Sequence, residues 1–157
     1  MKKISILWLL VLACCIPVGV SAAELKFHDA WVAAAPPGAK TQAAYICLMN
    51  NSDKDVEITA VSATGFGMAM LHQSVMHGDM NMMEAMPTLL VPAHKMVTLE
   101  PGGMHVMLMD AEKMAMPGDK VALTFQYRDG SKQTFNLEVK TMDNKPVTDM
   151  KDMHTHE

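Results

Sequence analysis

The sequence predicts an all-β fold, arranged as an antiparallel sandwich or barrel. From Leu25 onward, short apolar or alternating runs recur at near-regular spacing between turn signals, which is typical of such folds. No long stretch carries the 3.6-residue apolar period of an amphipathic helix. Half of the 157 residues are hydrophobic, so the composition favours a globular chain over a disordered one.

Nine runs are predicted as strands, separated by turn signals such as Pro36-Pro37-Gly38 and Gly65-Phe66-Gly67. The clearest hairpin joins the last two runs through the turn Arg128–Ser131. Because aromatic residues are few, we expect a core of Val, Leu, Ile, Ala and Met. In chain order the runs are Leu25–Ala35, Gln42–Met49, Val56–Thr64, Met68–Val75, Met80–Met86, Lys95–Leu99, His105–Met109, Lys120–Tyr127 and Gln133–Lys140.

The N-terminus predicts a secretory signal over residues 1–23. Two lysines precede the apolar run Ile4–Ala13, and Ser21-Ala22-Ala23 fits the small-residue cleavage rule. The run is too short for stable insertion in a membrane, so we expect cleavage and a periplasmic protein. A lipoprotein anchor at Cys14 is the alternative, and it is disfavoured because the residues after Cys14 remain apolar.

Cleavage would change the formal net charge from −4 to −6, since it removes two lysines and no acidic residue. No basic residues cluster, so nucleic acid is not an expected partner. Cys47 would remain as the single cysteine, which excludes an internal disulfide and a C-x-x-C reductase. Its strand-like surroundings predict burial as a small apolar side chain.

From Met142 onward, Asp, Lys, Thr, Met and His replace the apolar pattern. We therefore expect a single domain over residues 24–141, followed by a flexible tail over residues 142–157.

Thirteen of the eighteen methionines, here called the methionine belt, lie between Met68 and Met116. Four of the seven histidines lie in the same segment. Thioether sulfur is a soft, neutral ligand that selects Cu(I) over hard cations. Methionine also fills cores well, and we expect at least half of the belt to be core.

Strand alternation predicts that one methionine of the belt and a nearby histidine point to the same face of a strand. On a strand over His105–Met109, Val106 and Leu108 share one face, while His105 and Met107 share the other. A His-x-Met pair on one face offers two ligands for Cu(I), and further ligands would strengthen the binding. The residues alone leave those ligands open among His72, Met76, His77, Met80, Met82, Met83 and Met86.

Ten residues separate His72 from Met83, and twenty-one residues separate Met83 from the pair His105-x-Met107. This spacing resembles the motif of the periplasmic copper chaperones known as PCuAC. Other similar features are Pro101-Gly102-Gly103, Leu108, Trp31, Pro36-Pro37 and Ala44-Tyr45, so the resemblance covers about residues 25–140. The chain departs from the family in its surplus of methionine and in carrying Met104 where an aromatic residue is common.

The resemblance implies a cupredoxin-like, Greek-key β-sandwich in which His72, Met83, His105 and Met107 bind one Cu(I). It also implies copper delivery to cytochrome c oxidase assembly, with a cuproenzyme or a thioredoxin-like copper assembly factor as partner. Neutral ligands can be replaced one at a time by a partner's thiolates, so we expect a carrier rather than an enzyme, and a monomer.

A second metal site is predicted in the tail, because imidazole pairs suit Cu(II). Its candidate ligands are Met150, Met153, His154 and His156.

Two other functions remain open at this point. Periplasmic copper sequestration for tolerance would fit the methionine surplus. A blue-copper electron carrier needs a thiolate near His and Met, and Cys47 lies outside the motif, so we expect a colourless Cu(I) protein.

Overall fold

A computed structural model of the protein describes residues 25–36, 38–78 and 80–142. The predicted signal over residues 1–23, Cys14 included, lies outside the described residues. The described chain forms ten strands: β1 (Leu25–Ala33), β2 (Thr41–Asn50), β3 (Val56–Ala63), β4 (Phe66–His77), β5 (Met80–Ala85), β6 (Leu89–Val91), β7 (Met96–Leu99), β8 (Met104–Ala111), β9 (Lys120–Tyr127) and β10 (Lys132–Lys140).

The strands pair in the order β5-β4-β8-β2-β1-β10-β9-β3-β6, and β7 pairs with β2 beyond the end of β8. All described pairings are antiparallel except β1 with β10, which is parallel. Most neighbours are not consecutive in the chain, as in Greek-key folds. The sheet folds over on itself, so its inner faces enclose one core and the predicted all-β sandwich is confirmed.

Alternate residues of each strand supply that core. Val106 and Leu108 of β8 are fully buried, together with Leu123 and Phe125 of β9. Phe125 also meets Phe135 of β10 edge to face, with 5.6 Å between ring centroids. Aromatic rings, few as they are, therefore fill the centre of the sandwich.

The expectation that at least half of the methionine belt is core is wrong. No described methionine is buried, and within the belt only Met86 and Met104 pack partly against the core. The belt lies mainly on the outer face of β4 and β8 and on β5, a strand exposed along its whole length. Period-two alternation sets which residues share a face, but not which face is covered.

All nine predicted strands are confirmed, with β4 extending to Phe66 and His77. The three-residue strand β6, between Pro87 and Pro92, was missed because it is too short to show a pattern. The β9–β10 hairpin is confirmed: the Tyr127 N–H donates to the Ser131 carbonyl over 2.9 Å, and Gly130 takes the left-handed conformation at φ 84°.

Among the described residues, no helix has the length and apolar character needed to cross a membrane.

Candidate metal centre

Three neighbouring strands, β5, β4 and β8, carry the predicted ligands on one face. Leu71 pairs with Val106, and both are buried in the core. Because side chains alternate along a strand, the next residues, His72 and His105, point away from the core. We call the side that carries this histidine pair the outer face, and the core side the inner face.

On the outer face, His72 and His105 lie directly opposite one another in the β4–β8 register. Their rings are stacked, with 6.0 Å between centroids and 18° between planes. Met107 follows on the same face of β8, opposite Met70 of β4. Met107 is thus the diagonal neighbour of His72, at a separation that long side chains can bridge.

The ring of His105 is held in place by the backbone. His105 is 4% exposed, and its Nδ1 lies 3.2 Å from the Gly103 carbonyl oxygen. A carbonyl oxygen can only accept, so Nδ1 carries the proton and Nε2 keeps the lone pair that a metal needs. The same oxygen accepts the Ser74 N–H over 3.2 Å, which ties the ring to β4 as well.

His72 is not held in this way. Its Nδ1 is buried and has no hydrogen-bond partner, the only such side-chain atom in the part of the chain that the structure describes. A buried polar atom without a partner costs free energy and calls for a specific explanation. An imidazole nitrogen without a hydrogen-bond partner keeps its lone pair available for a metal ion when the ring is neutral.

The register between β4 and β5 places the three methionines of β5 on different faces of the sheet. Met83 lies opposite Ser74, which places it on the outer face and diagonal to His72. Met80 and Met82 lie opposite His77 and Val75, on the inner side of the same strand. The structure therefore brings Met83 to the histidine pair and turns Met80 and Met82 away from it.

The other candidates from the sequence also lie apart from the pair. His77 is exposed, with its Nε2 3.2 Å from Glu84 Oε1. Met86 packs partly against the core, and Met76 is exposed at the far end of β4. His94 is exposed in a turn at φ 56°, and its Nε2 lies 2.9 Å from Asp53 Oδ1.

An aromatic row supports His105 from the β2 side. The rings of Tyr45 and His105 are 6.5 Å apart, and those of Trp31 and Tyr45 are 4.8 Å apart. Burial raises the pKa of Tyr45, so the phenol stays neutral. Sequence reasoning gave these rings no role, although alternation along β2 places Tyr45 on the outer face.

Cys47 is buried, as predicted, and its Sγ lies 3.6 Å from Thr98 Oγ1. It is one step beyond Tyr45 on the outer face of β2, opposite His28. Its hydrogen-bond partner Thr98 belongs to β7, not to the strands that carry the histidine pair.

Within residues 25–36, 38–78 and 80–142, no three His, Cys, Asp or Glu side chains converge as a metal cluster. The predicted tail ligands Met150, Met153, His154 and His156 lie outside the described residues.

Comparison with known proteins places the chain in a family. The family model described as "Putative lipoprotein LpqE-like" matches residues 25–139. The chain belongs to the LpqE-like family. A curated relative from Leifsonia xyli subsp. xyli, named "Putative lipoprotein Lxx21020", is 29% identical over 123 residues, which is 78% of this chain and 73% of the relative.

Solved structures similar to this LpqE-like chain include PCuAC domains. The Cu(I) form of DR1885 from Deinococcus radiodurans is 30% identical, with a TM-score of 0.62 over 83% of this chain and 85% of that one. The copper-bound PCuAC domain of PmoF2 is 22% identical, with a TM-score of 0.63 over 74% of this chain and 92% of that domain, and shows the fold alone. The resemblance to PCuAC and the cupredoxin-like fold are thereby confirmed.

Proposed function

We propose that this LpqE-like chain binds one Cu(I) through His72, Met83, His105 and Met107 and carries it to an acceptor. The observation that supports this most is the stacked histidine pair, in which the buried Nδ1 of His72 has no partner. The diagonal positions of Met83 and Met107 add two thioethers on the same face. The related DR1885 protein has been solved in a Cu(I) form.

The ligand set suits Cu(I) for a physical reason. Two neutral imidazoles and two thioethers offer soft or borderline donors without a carboxylate, so hard cations gain little there. Neither thioether has to lose a proton, and the imidazoles need only be neutral. The thioether half of the site therefore does not depend on pH.

The two sides of the site differ in a way that fits transfer rather than permanent storage. His105 is buried and hydrogen-bonded, whereas Met83 is 59% exposed on the edge strand β5. An acceptor thiolate can replace the exposed thioether first while His105 still holds the ion. Copper leaves by ligand exchange, without a chemical step that would make the protein an enzyme.

The proposed setting is the periplasm, reached by the signal over residues 1–23. The acceptor is a cuproenzyme in assembly, with cytochrome c oxidase as the first choice, or a thioredoxin-like assembly factor. The carrier acts as a monomer. We also propose that the tail residues form a second site, for Cu(II); they are Met150, Met153, His154 and His156. An unchanged copper stoichiometry after truncation of the chain at Met142 would refute this tail site.

Copper sequestration is the second candidate, favoured by one observation. Eight methionines of the belt are exposed, more than one site requires: Met68, Met70, Met76, Met80, Met82, Met83, Met96 and Met116. Transfer separates the two functions, since storage predicts that the bound ions are held and none is passed on. A blue-copper carrier is disfavoured because Cys47 lies outside the His72, Met83, His105 and Met107 set and its Sγ lies 3.6 Å from Thr98 Oγ1 on β7.

The test is an anaerobic Cu(I) competition titration of the protein with His72→Ala, His105→Ala and, as a matched control, His94→Ala. We expect both outer-face variants to lose affinity and His94→Ala to match the wild type. Loaded protein should then pass its copper to a dithiol-bearing acceptor domain. Equal affinity in all three variants, or retention of copper against the acceptor, would overturn the proposal.

A further inference from the structure

Among the outer-face methionines that belong neither to the proposed site nor to the core, three lie together on β4 and β8. Met68 lies directly opposite Met109 across β4 and β8, and Met70 lies opposite Met107 in the next outer-face pair. We call Met68, Met70 and Met109 the methionine ladder. From the histidine pair, the ladder extends along β4 and β8 toward the pair Phe66–Ala111, at the start of β4 and the end of β8.

The ladder brings three sulfur atoms within reach of one ion. Residues directly opposed in an antiparallel pair have Cβ atoms about 4.5–5.5 Å apart, and diagonal neighbours are still reached by long side chains. Methionine has three rotatable bonds and a polarizable sulfur, so it adapts to such a position. The neighbouring strand β2 places the small side chains of Thr41 and Ala43 beside Met109 and Met107, which leaves room for the thioethers to move.

Packing does not account for the ladder. Met68 is 47% exposed and Met70 is also exposed, while Met109 is partly buried. The core at this end of the sandwich is filled by Leu108 and Ala69, which face the other way. Three adjacent, flexible apolar side chains held at the surface gain little free energy of folding from burial.

The thioether side chains of the ladder determine which ion it can bind. The three thioethers are neutral and soft, and the ladder itself includes no carboxylate or imidazole. Such a set favours Cu(I) and similar soft monovalent ions, and gives Zn²⁺, Mg²⁺ or Ca²⁺ no preferred ligand. The acidic net charge of the chain, −4, adds a weak attraction for any cation.

We propose that the methionine ladder is a second, all-thioether binding site for a soft monovalent cation. It uses none of the four ligands proposed above, and it stands whether or not His72 and His105 bind copper. Its exposure makes it the weaker and more readily exchanged of the two sites.

The test uses Ag(I), a soft monovalent ion that does not change oxidation state, in a titration of the protein followed by NMR of ¹³C-labelled methionine methyl groups. The variant Met68→Leu/Met109→Leu removes two of the three thioethers and keeps the side-chain volume. The matched control Met80→Leu/Met82→Leu removes two thioethers from the inner side of β5.

We expect the ladder variant to bind one equivalent of Ag(I) fewer than the wild type, and the control to bind the same number as the wild type. The methyl signals of Met68, Met70 and Met109 should shift together. His72→Ala/His105→Ala should lose the tightest equivalent yet keep these shifts, which separates failure of the ladder from failure of the proposed function. An unchanged stoichiometry in the ladder variant, or an equal loss in the control, would overturn the proposal.

Discussion

His72 and His105 face each other as stacked rings 6.0 Å apart, yet their surroundings differ. The Gly103 carbonyl accepts the Nδ1–H of His105, whereas the buried Nδ1 of His72 has no partner. One ring is fixed by the fold, and the other has a nitrogen that the fold alone leaves unsatisfied. An unsatisfied buried group of this kind is expected at a functional site, and it fits the proposal that both rings offer nitrogen ligands on one face.

The asymmetry predicts different effects on the metal-free protein. Replacing His105 by Leu removes a hydrogen bond and should lower the free energy of unfolding by about 0.5–1.5 kcal/mol. Replacing His72 by Leu removes an unsatisfied nitrogen, so stability should stay the same or rise. Urea unfolding in the presence of a copper chelator measures both. If His72→Leu proves as destabilising as His105→Leu, the nitrogen of His72 has a partner in solution.

Oxidation provides a second prediction, since peroxide converts exposed methionine to its sulfoxide. Met83 and Met82 are 59% and 48% exposed, so they should react at similar rates in the metal-free protein. Ag(I) bound at the proposed site occupies the sulfur of Met83 and should slow its oxidation, while Met82 remains reactive. Peptide mass spectrometry reports each residue separately. Equal protection of both residues would place the metal elsewhere.

Gly67 permits a close approach of β4 and β8 beside the methionine ladder. A Cβ at this position would lie 3.0 Å from the Asp110 Cβ and 3.3 Å from the Asp110 carbonyl oxygen. Gly67→Ala should therefore destabilise the protein by about 1–3 kcal/mol. Asp110 itself has a left-handed backbone at φ 54°, which glycine adopts without strain.

The double variant Gly67→Ala/Asp110→Gly removes the strain and the contact with the Asp110 Cβ, and leaves the contact with the Asp110 carbonyl oxygen. It should recover part of the stability that Gly67→Ala loses, so the two changes should be non-additive in a double-mutant cycle of unfolding free energies. Simple additivity would mean that the two residues do not touch in solution.

The ion pair between Arg128 and Glu57 predicts a pH dependence. Arg128 donates from Nε and Nη2 to the two carboxylate oxygens of Glu57, and these hydrogen bonds, with the guanidinium charge, lower the pKa of Glu57. A carboxyl whose pKa is lowered on folding contributes stability above its unfolded pKa, about 4.3 for glutamate, and loses it as the pH falls through the folded value.

Arg128→Gln should therefore reduce stability at neutral pH, and the difference from the wild type should vanish in acid. Unfolding curves between neutral pH and strong acid measure this, with Lys132→Gln as a variant that removes the same charge from the same hairpin. A difference that persists at the lowest pH would contradict the ionic origin of the effect.

Much of the fold could be predicted from the sequence because the outer and inner residues alternate clearly in β9 and β10. The strand β6 gave no signal, since Leu89–Val91 is too short to show a period. The parallel pairing of β1 with β10 joins residues more than a hundred positions apart, and local patterns do not report such contacts.

The site was predictable in part. Alternation alone placed His105 and Met107 on one face, but the choice of His72 and Met83 came from the family spacing. The registers His72 with His105 and Ser74 with Met83 supply the physical reason for that choice. The belt was misjudged as core because methionine suits a core and an exposed metal-binding face equally well.

If the outer face of β5, β4 and β8 binds Cu(I), as proposed, the neighbours Met83 and Met82 should differ in their effect on binding. These adjacent residues share one strand and similar exposure, and they point to opposite faces. In anaerobic Cu(I) competition titrations, Met83→Leu should weaken binding while Met82→Leu should bind as the wild type does. Equal affinities for the two variants, or a greater loss in Met82→Leu, would contradict the account.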